Sequence, residues 1–183
     1  KYREMKAQLE PIGVELLFGG DMEGPHEIEE TGETYADNAL IKARAWAEAT
    51  GLPALADDSG LEAEALGGLP GVHSARIVEG SDADRTRWLL GELADKEDRR
   101  GRFACAIAVV MPGGRAPLVV TRYCPGVITR EPRGESGFGY DPVFVPDGFD
   151  KTFAELGDET KNKISHRALA VKGIAEMLRA VIE

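Results

Sequence analysis

The chain has only two cysteines, Cys105 and Cys124, and only three histidines. Two thiols, each in an apolar stretch, argue against a disulfide framework and read as buried, reduced side chains. His26 and His73 have no cysteine or histidine partners at zinc-ligand spacing, so no zinc site is expected. Long apolar runs are missing too. Nothing approaches the ~18–20 residues of a membrane span, and no basic-then-apolar secretory signal opens the chain. Reduced thiols without a span or a signal predict a cytoplasmic protein with no membrane partner. Basic residues are also scarce: 22 Lys and Arg against 32 Asp and Glu leave a formal net charge of −10. That balance speaks against binding a nucleic-acid polymer, which needs a basic surface. It still allows a small phosphate-bearing ligand, because a divalent cation can screen phosphate charge locally. There is no Walker loop and no G-x-G-x-x-G opening a helix, and Ser59 lacks the strand–turn–helix context of a serine nucleophile.

What is present suits a globular protein. Apolar residues make up 43% and charged residues 30% of the 183 positions, enough for one domain, or one domain with two lobes, around a real core. Residues 1–10 read as an amphipathic helix with no strand or cap ahead of it, broken by Pro11. Val14–Phe18 is a strand candidate. Thr34 caps a strong helix to Thr50, closed by Gly51. Leu52–Ala56 reads as a short buried strand ending in the turn Asp57-Asp58-Ser59-Gly60. Ser81 caps a helix to about Ala94. Arg102–Met111 and Pro117–Thr129 are strands joined by the hairpin signal Pro112-Gly113-Gly114. Tyr140–Val145 is a further strand, two helical turns follow over 151–164, and Ser165–Glu183 is a long helix. Intermixed helices and strands with a hairpin predict an α/β fold: a mixed central sheet with helices on both faces.

Three clusters could carry chemistry. Asp57 and Asp58 leave a buried strand, so their carboxylates point to opposite sides. One could bind Mg²⁺ or orient a water. On these residues alone, an ordinary Asx-type turn with two solvated acids is equally good. In Ser136-Gly137-Phe138-Gly139-Tyr140-Asp141-Pro142, the glycines allow close backbone approach to a flat ligand. Phe138 could stack on a base and Asp141 could accept from a ring N–H; a tight turn with both aromatics in the core is the plainer alternative. Lys161 and Ser165-His166-Arg167 lie near a helix start, where anions are favoured. His166 and Arg167 could bond a base carbonyl, or Arg167 could pair with an acid elsewhere. Lys42, mid-helix, could reach a phosphate or simply snorkel. Glu29-Glu30 lies in an acidic loop where solvated charge is the default.

Taken together, these stretches resemble the inosine/xanthosine triphosphate pyrophosphatases, the Ham1-like or RdgB-like house-cleaning enzymes. The resemblance rests on Glu29-Glu30-Thr31-Gly32, Asn38 to Ala43, Ala56 to Leu61, Leu66 to Gly71, Pro125 to Ile128, Gly137 to Pro142 and Ser165-His166-Arg167, in the family's order over nearly the whole chain. It implies an ITPase-like fold, an elongated mixed sheet whose two lobes flank a cleft, and a homodimer. It implies Mg²⁺-dependent cleavage of the α–β phosphoanhydride of ITP, dITP or XTP, giving a nucleoside monophosphate and pyrophosphate. Asp58 would accept the proton of the attacking water and bind metal with Glu29. Lys1, Lys42, Ser59 and Lys161 would contact phosphate or substrate. Phe138, Gly139, Tyr140, Asp141, His166 and Arg167 would hold the base. Against the family pattern, Lys1 stands alone of an opening strand and Ser/Thr-x-Asn-x-x-Lys turn, so that strand and turn are expected to be missing from this chain. Asp37 replaces the glutamate expected before Asn38-Ala39. The alternatives are a Maf-like pyrophosphatase for other modified nucleotides and a nucleotide-binding module without turnover.

Overall fold

The computed structural model describes residues 2–25 and 27–182. The chain is α/β, as the alternation of elements predicts. Helices α1 (Tyr2–Leu9), α2 (Tyr35–Thr50), α3 (Asp82–Glu92), α4 (Phe153–Ile164) and α5 (His166–Ile182) accompany strands β1 (Ala54–Ala63), β2 (Arg100–Val110), β3 (Leu118–Ile128) and β4 (Phe144–Pro146). The strands form one sheet in the order β1-β2-β3-β4. The expected hairpin joins β2 to β3, and β4 runs antiparallel to β3 with Val145 opposite Val127.

Local sequence explains where the helices start. Thr34, Ser81 and Thr152 each accept the N3 backbone N–H, and the N3 acid (Asp37, Asp84, Glu155) returns a bond to the cap residue's own N–H. These capping boxes satisfy donors that would otherwise lack partners. Asp37, one methylene shorter than the expected glutamate, closes its box without difficulty. The two helical turns expected over 151–164 are present: α4 is interrupted at Gly157, whose φ of +76° and ψ of 172° are not helical.

Three expectations fail. Of the expected strand Tyr140–Val145, only Phe144 and Val145 are strand; Asp141–Val143 forms a 3-10 turn. Val14–Phe18 forms no strand among the described residues: it is apolar enough for one but joins no ladder. β1 does not stop before Asp57; it runs straight through Asp57 and Asp58 to Ala63. A strand can carry two adjacent carboxylates when each finds its own partners, as they do here.

The chain divides into two compact units. The first comprises Lys1–Asp58, Cys105–Arg122 and Arg167–Glu183; the second comprises Ser59–Ala104 and Tyr123–His166. In the first, Met5 and Leu9 of α1 and Ala170, Val171, Ile174 and Leu178 of α5 pack with Cys105, Ile107 and Val109 of β2. The α5 positions recur at helical spacing, one apolar stripe facing the sheet. Ala106 and Ala108 point the other way and are also fully buried, so both faces of β2 are covered. In the second, Phe103, Phe144 and Phe153 pack together with Leu61, Leu89, Leu93 and Ile128. The Phe103 and Phe144 rings meet edge-on at 4.7 Å, a favoured aromatic geometry.

Ile174 has no exposed surface. Ile174→Ala therefore removes its buried methylenes and leaves a cavity, costing about 2–5 kcal/mol. Urea unfolding should show a lower midpoint with an unchanged slope.

Candidate active site

In the first unit, α2 works as a ruler. Asn38 and Lys42 lie one turn apart on the same side of the helix. The Asn38 Nδ2 donates to Asp58 Oδ2 at 3.1 Å, and the Lys42 ammonium lies 3.5 Å from Asp58 Oδ1. Both carboxylate oxygens of Asp58, which is only 8% exposed, are thus engaged. Lys42 also donates to Glu30 at 2.6 Å, so its charge sits between two carboxylates. The orientation of Asn38 is set from behind: Gly32 N–H donates to its Oδ1 at 2.8 Å. A Cβ on Gly32 would come within 2.6 Å of Asp37 Cβ and 2.7 Å of Asn38 Oδ1. Glycine is required there by close approach.

Asp57 addresses a different set. Arg167, at the start of α5, places Nε 3.6 Å from Asp57 and donates from Nη1 to Glu4 at 3.1 Å. Arg167 is 2% exposed. Its burial alone would lower the guanidinium pKa, but the charges of Asp57 and Glu4 outweigh that and raise it. It is a permanent cation held by two acids from distant parts of the chain.

The second unit holds the glycine-rich loop. Asp141 accepts from Phe138 N–H at 2.9 Å and forms a buried ion pair with Lys161. Lys161 lies 4.2 Å from the centre of the Phe138 ring, within cation–π range. Gly137 has φ +82°, and a Cβ there would meet Asp141 Oδ2 at 2.2 Å. Phe138 remains 45% exposed, whereas Tyr140 is buried and donates from its hydroxyl to Ser74 carbonyl at 2.9 Å. Burial pushes the Tyr140 phenol up to about 12, so it stays a neutral donor. His166 is buried and stacks on Phe103, with centroids 4.6 Å apart and planes 9° off parallel.

Strand carboxylates held by a helical Asn–Lys pair, and a glycine-flanked aromatic loop closed by a buried Asp–Lys pair, occur in the order the family's motifs prescribe. The sequence matches the Ham1 family profile over residues 1–177. The chain belongs to the Ham1 family. The dITP/XTP pyrophosphatase of Symbiobacterium thermophilum is 50% identical across 100% of this chain and 92% of its own length. That of Bacillus subtilis is 46% identical over 98% of this chain and 92% of its own length. A solved Ham1 protein from Coxiella burnetii superimposes with a TM-score of 0.90 at 43% identity, covering 97% of this chain and 92% of that one. One from Staphylococcus aureus gives 0.86 at 35%, covering 98% and 93%.

Within this Ham1 chain, the structure gathers Asp58 and Lys42 in one cluster and Phe138, Asp141 and Lys161 in another. Lys1 lies outside the described residues. Ser59 follows Asp58 on β1 and is partly buried, and Gly139 donates its N–H to Asp82 at 2.7 Å. Glu29 is exposed, and its neighbour Glu30 is the acid that meets Lys42. Sequence reasoning missed Glu30, Asn38 and Glu4 as partners. The signal for Asn38 was present: an amide four residues before Lys42 on an otherwise apolar helix face. No local signal links Glu4 to Arg167, 163 positions away.

Arg167→Met removes the cation while keeping apolar bulk, and leaves two largely buried carboxylates without it. It should lower unfolding free energy by about 3 kcal/mol, read by urea denaturation at neutral pH. A loss under half that would mean the pair adds little to folding.

Proposed function

We propose that this protein hydrolyses non-standard purine nucleoside triphosphates (dITP, ITP and XTP) to the nucleoside monophosphate and pyrophosphate, removing them from the nucleotide pool. The observation that carries the reading is Asp58, a nearly buried carboxylate fixed at both oxygens by Asn38 and Lys42, in a chain about half identical to dITP/XTP pyrophosphatases throughout. Attack by water on the α-phosphorus needs a group to take the proton and positive charge to stabilise the phosphoryl oxygens. Asp58 takes the proton. Lys42 meets the phosphate oxygens as a point charge, with Ser59 beside it, and Lys1 belongs to the same substrate contacts.

Mg²⁺ suits this donor set. It binds through one or two carboxylates and otherwise keeps water and substrate phosphates as ligands, so a cluster of three protein acids is not required. The position of the Lys42 ammonium between Glu30 and Asp58 supports a place where positive charge is favoured. Asp58 would hold the ion together with Glu29. When bound, it neutralises charge on the triphosphate.

Base selection falls to the loop and the start of α5. Phe138 stacks on the purine, Gly139 lets the backbone approach, and Tyr140, Asp141 and Lys161 hold that loop in shape. Donors from His166 and Arg167 meet the 6-oxo oxygen, with Glu4 and Asp57 fixing the guanidinium. A 6-amino purine would set donor against donor, the kind of mismatch that rejects strongly. The same reading expects a homodimer in the cytoplasm. No helix among the described residues is long and apolar enough to cross a membrane.

Incubation with dITP, XTP, dTTP and dATP plus Mg²⁺, with pyrophosphate assayed, tests the reading. Release from dITP and XTP is expected. Asp58→Asn should lower that rate at least ~100-fold while dITP still raises the melting temperature. Release from dTTP but not dITP would point instead to a Maf-like specificity. Stabilisation by dITP without release would point to a binding module.

A further inference from the structure

The Phe138–Asp141 loop is fastened to a helix that no part of the proposed reaction uses. Asp82, the first residue of α3, lies 57 positions before Gly139 in sequence. Its Oδ2 accepts the Gly139 backbone N–H at 2.7 Å. Thr86, one turn along α3, is buried and donates its hydroxyl to the Gly139 carbonyl at 3.4 Å, a longer and weaker contact. The two ends of one residue, directly after Phe138, are therefore addressed from one side of one helix. The other oxygen of Asp82 accepts from Arg85 Nη2 at 2.7 Å. The Arg85 guanidinium and the Gly139 amide together hold the Asp82 carboxyl below its ordinary range, so it is an ionised acceptor at neutral pH. Charge-assisted bonds of this kind are shorter and stronger than neutral ones.

Gly139 cannot serve as its own anchor. Its φ is +61° and it has no side chain to pack, so Gly139 itself is held through its backbone. Phe138, 45% exposed, is also tied to Asp141: its N–H donates to the Asp141 carboxylate at 2.9 Å and its carbonyl accepts the Asp141 N–H at 3.3 Å. Without Asp82, the peptide joining Phe138 to Gly139 is held less firmly, through the longer 3.3 Å bond from Asp141 N–H to the Phe138 carbonyl, while the ring stays beside Lys161.

We infer that Asp82 is a positioning residue for purine recognition: by holding the Gly139 amide it fixes the Phe138 ring for stacking. The inference rests on the assignment of Phe138 to the base. Asp82 touches no substrate, so its loss should act on binding and selectivity and not on the hydrolytic step.

The test is steady-state kinetics with dITP and dATP on Asp82→Ala, Asp82→Asn, Arg85→Ala and Phe138→Ala. Asp82→Ala should raise KM for dITP about three- to tenfold, with kcat within about twofold, and narrow the preference for dITP over dATP. Asp82→Asn keeps an oxygen for the Gly139 amide and should recover most of the KM. Arg85→Ala, which loses the ion pair and the bond to the Gly80 carbonyl but leaves the Asp82–Gly139 bond in place, should stay near the parent protein. A parent-like KM for Asp82→Ala beside a raised KM for Phe138→Ala would overturn the inference and leave the base assignment standing. A parent-like KM for Phe138→Ala would overturn both. Equal losses in Asp82→Ala and Arg85→Ala without recovery in Asp82→Asn would show that the ion pair, and not the grip on Gly139, matters.

Discussion

A guanidinium kept almost entirely from water dictates much of the first unit. Arg167 needs negative charge close by, since an unpaired ion at 2% exposure would cost several kcal/mol. Glu4 and Asp57 supply it. That ties the start of α5 to α1 and to the middle of β1 in one contact. It also decides the fate of the acidic pair. Adjacent residues on a strand face opposite ways, so once Asp57 is committed to Arg167, Asp58 must find partners on the other face. It finds them in Asn38 and Lys42.

That division of labour explains why two neighbouring carboxylates tolerate each other inside a strand. Each is balanced by its own cation, and Asp58 has a neutral amide as well. The supports behind Asn38 are equally specific. Gly32 fits because no side chain would, and the Thr34–Asp37 capping box fixes where α2 begins. The side chain proposed to work in hydrolysis, Asp58, is thereby set by packing and backbone bonds, the kind of second layer of support that holds functional groups to working geometry. The second unit repeats the pattern. Phe138 is the exposed element, and Asp141, Lys161 and the α3 acid hold the loop beneath it.

Much of this was legible in sequence, for physical reasons. Caps at Thr34 and Ser81 are local, and they mark helix starts within a residue. The β2–β3 hairpin announces itself through Pro112-Gly113-Gly114. The alternation rule applied to Asp57-Asp58 anticipated two different environments. What sequence did not yield was non-local. Val14–Phe18 has strand composition, but composition cannot supply a neighbouring strand. β1 was expected to end where Asp57-Asp58-Ser59-Gly60 reads as a turn, and only the three-dimensional partners of the two acids let the strand run through it. The Arg167–Glu4 and Asp82–Gly139 contacts join residues far apart in the chain. Nothing in a linear pattern marks Asp82 as more than a good first-turn acid of a capped helix.

The central claim is that the Asn38 amide works through Asp58 and not beside it. A double-mutant cycle on kcat for dITP tests this directly, with Asn38→Ala, Asp58→Asn and the combined variant. Asn38→Ala alone should cost roughly tenfold or more, and the combined variant should be no slower than Asp58→Asn, because groups acting as one unit are not additive. Fully additive losses would contradict the account, since they would mean that Asn38 contributes to turnover independently of the carboxylate it holds.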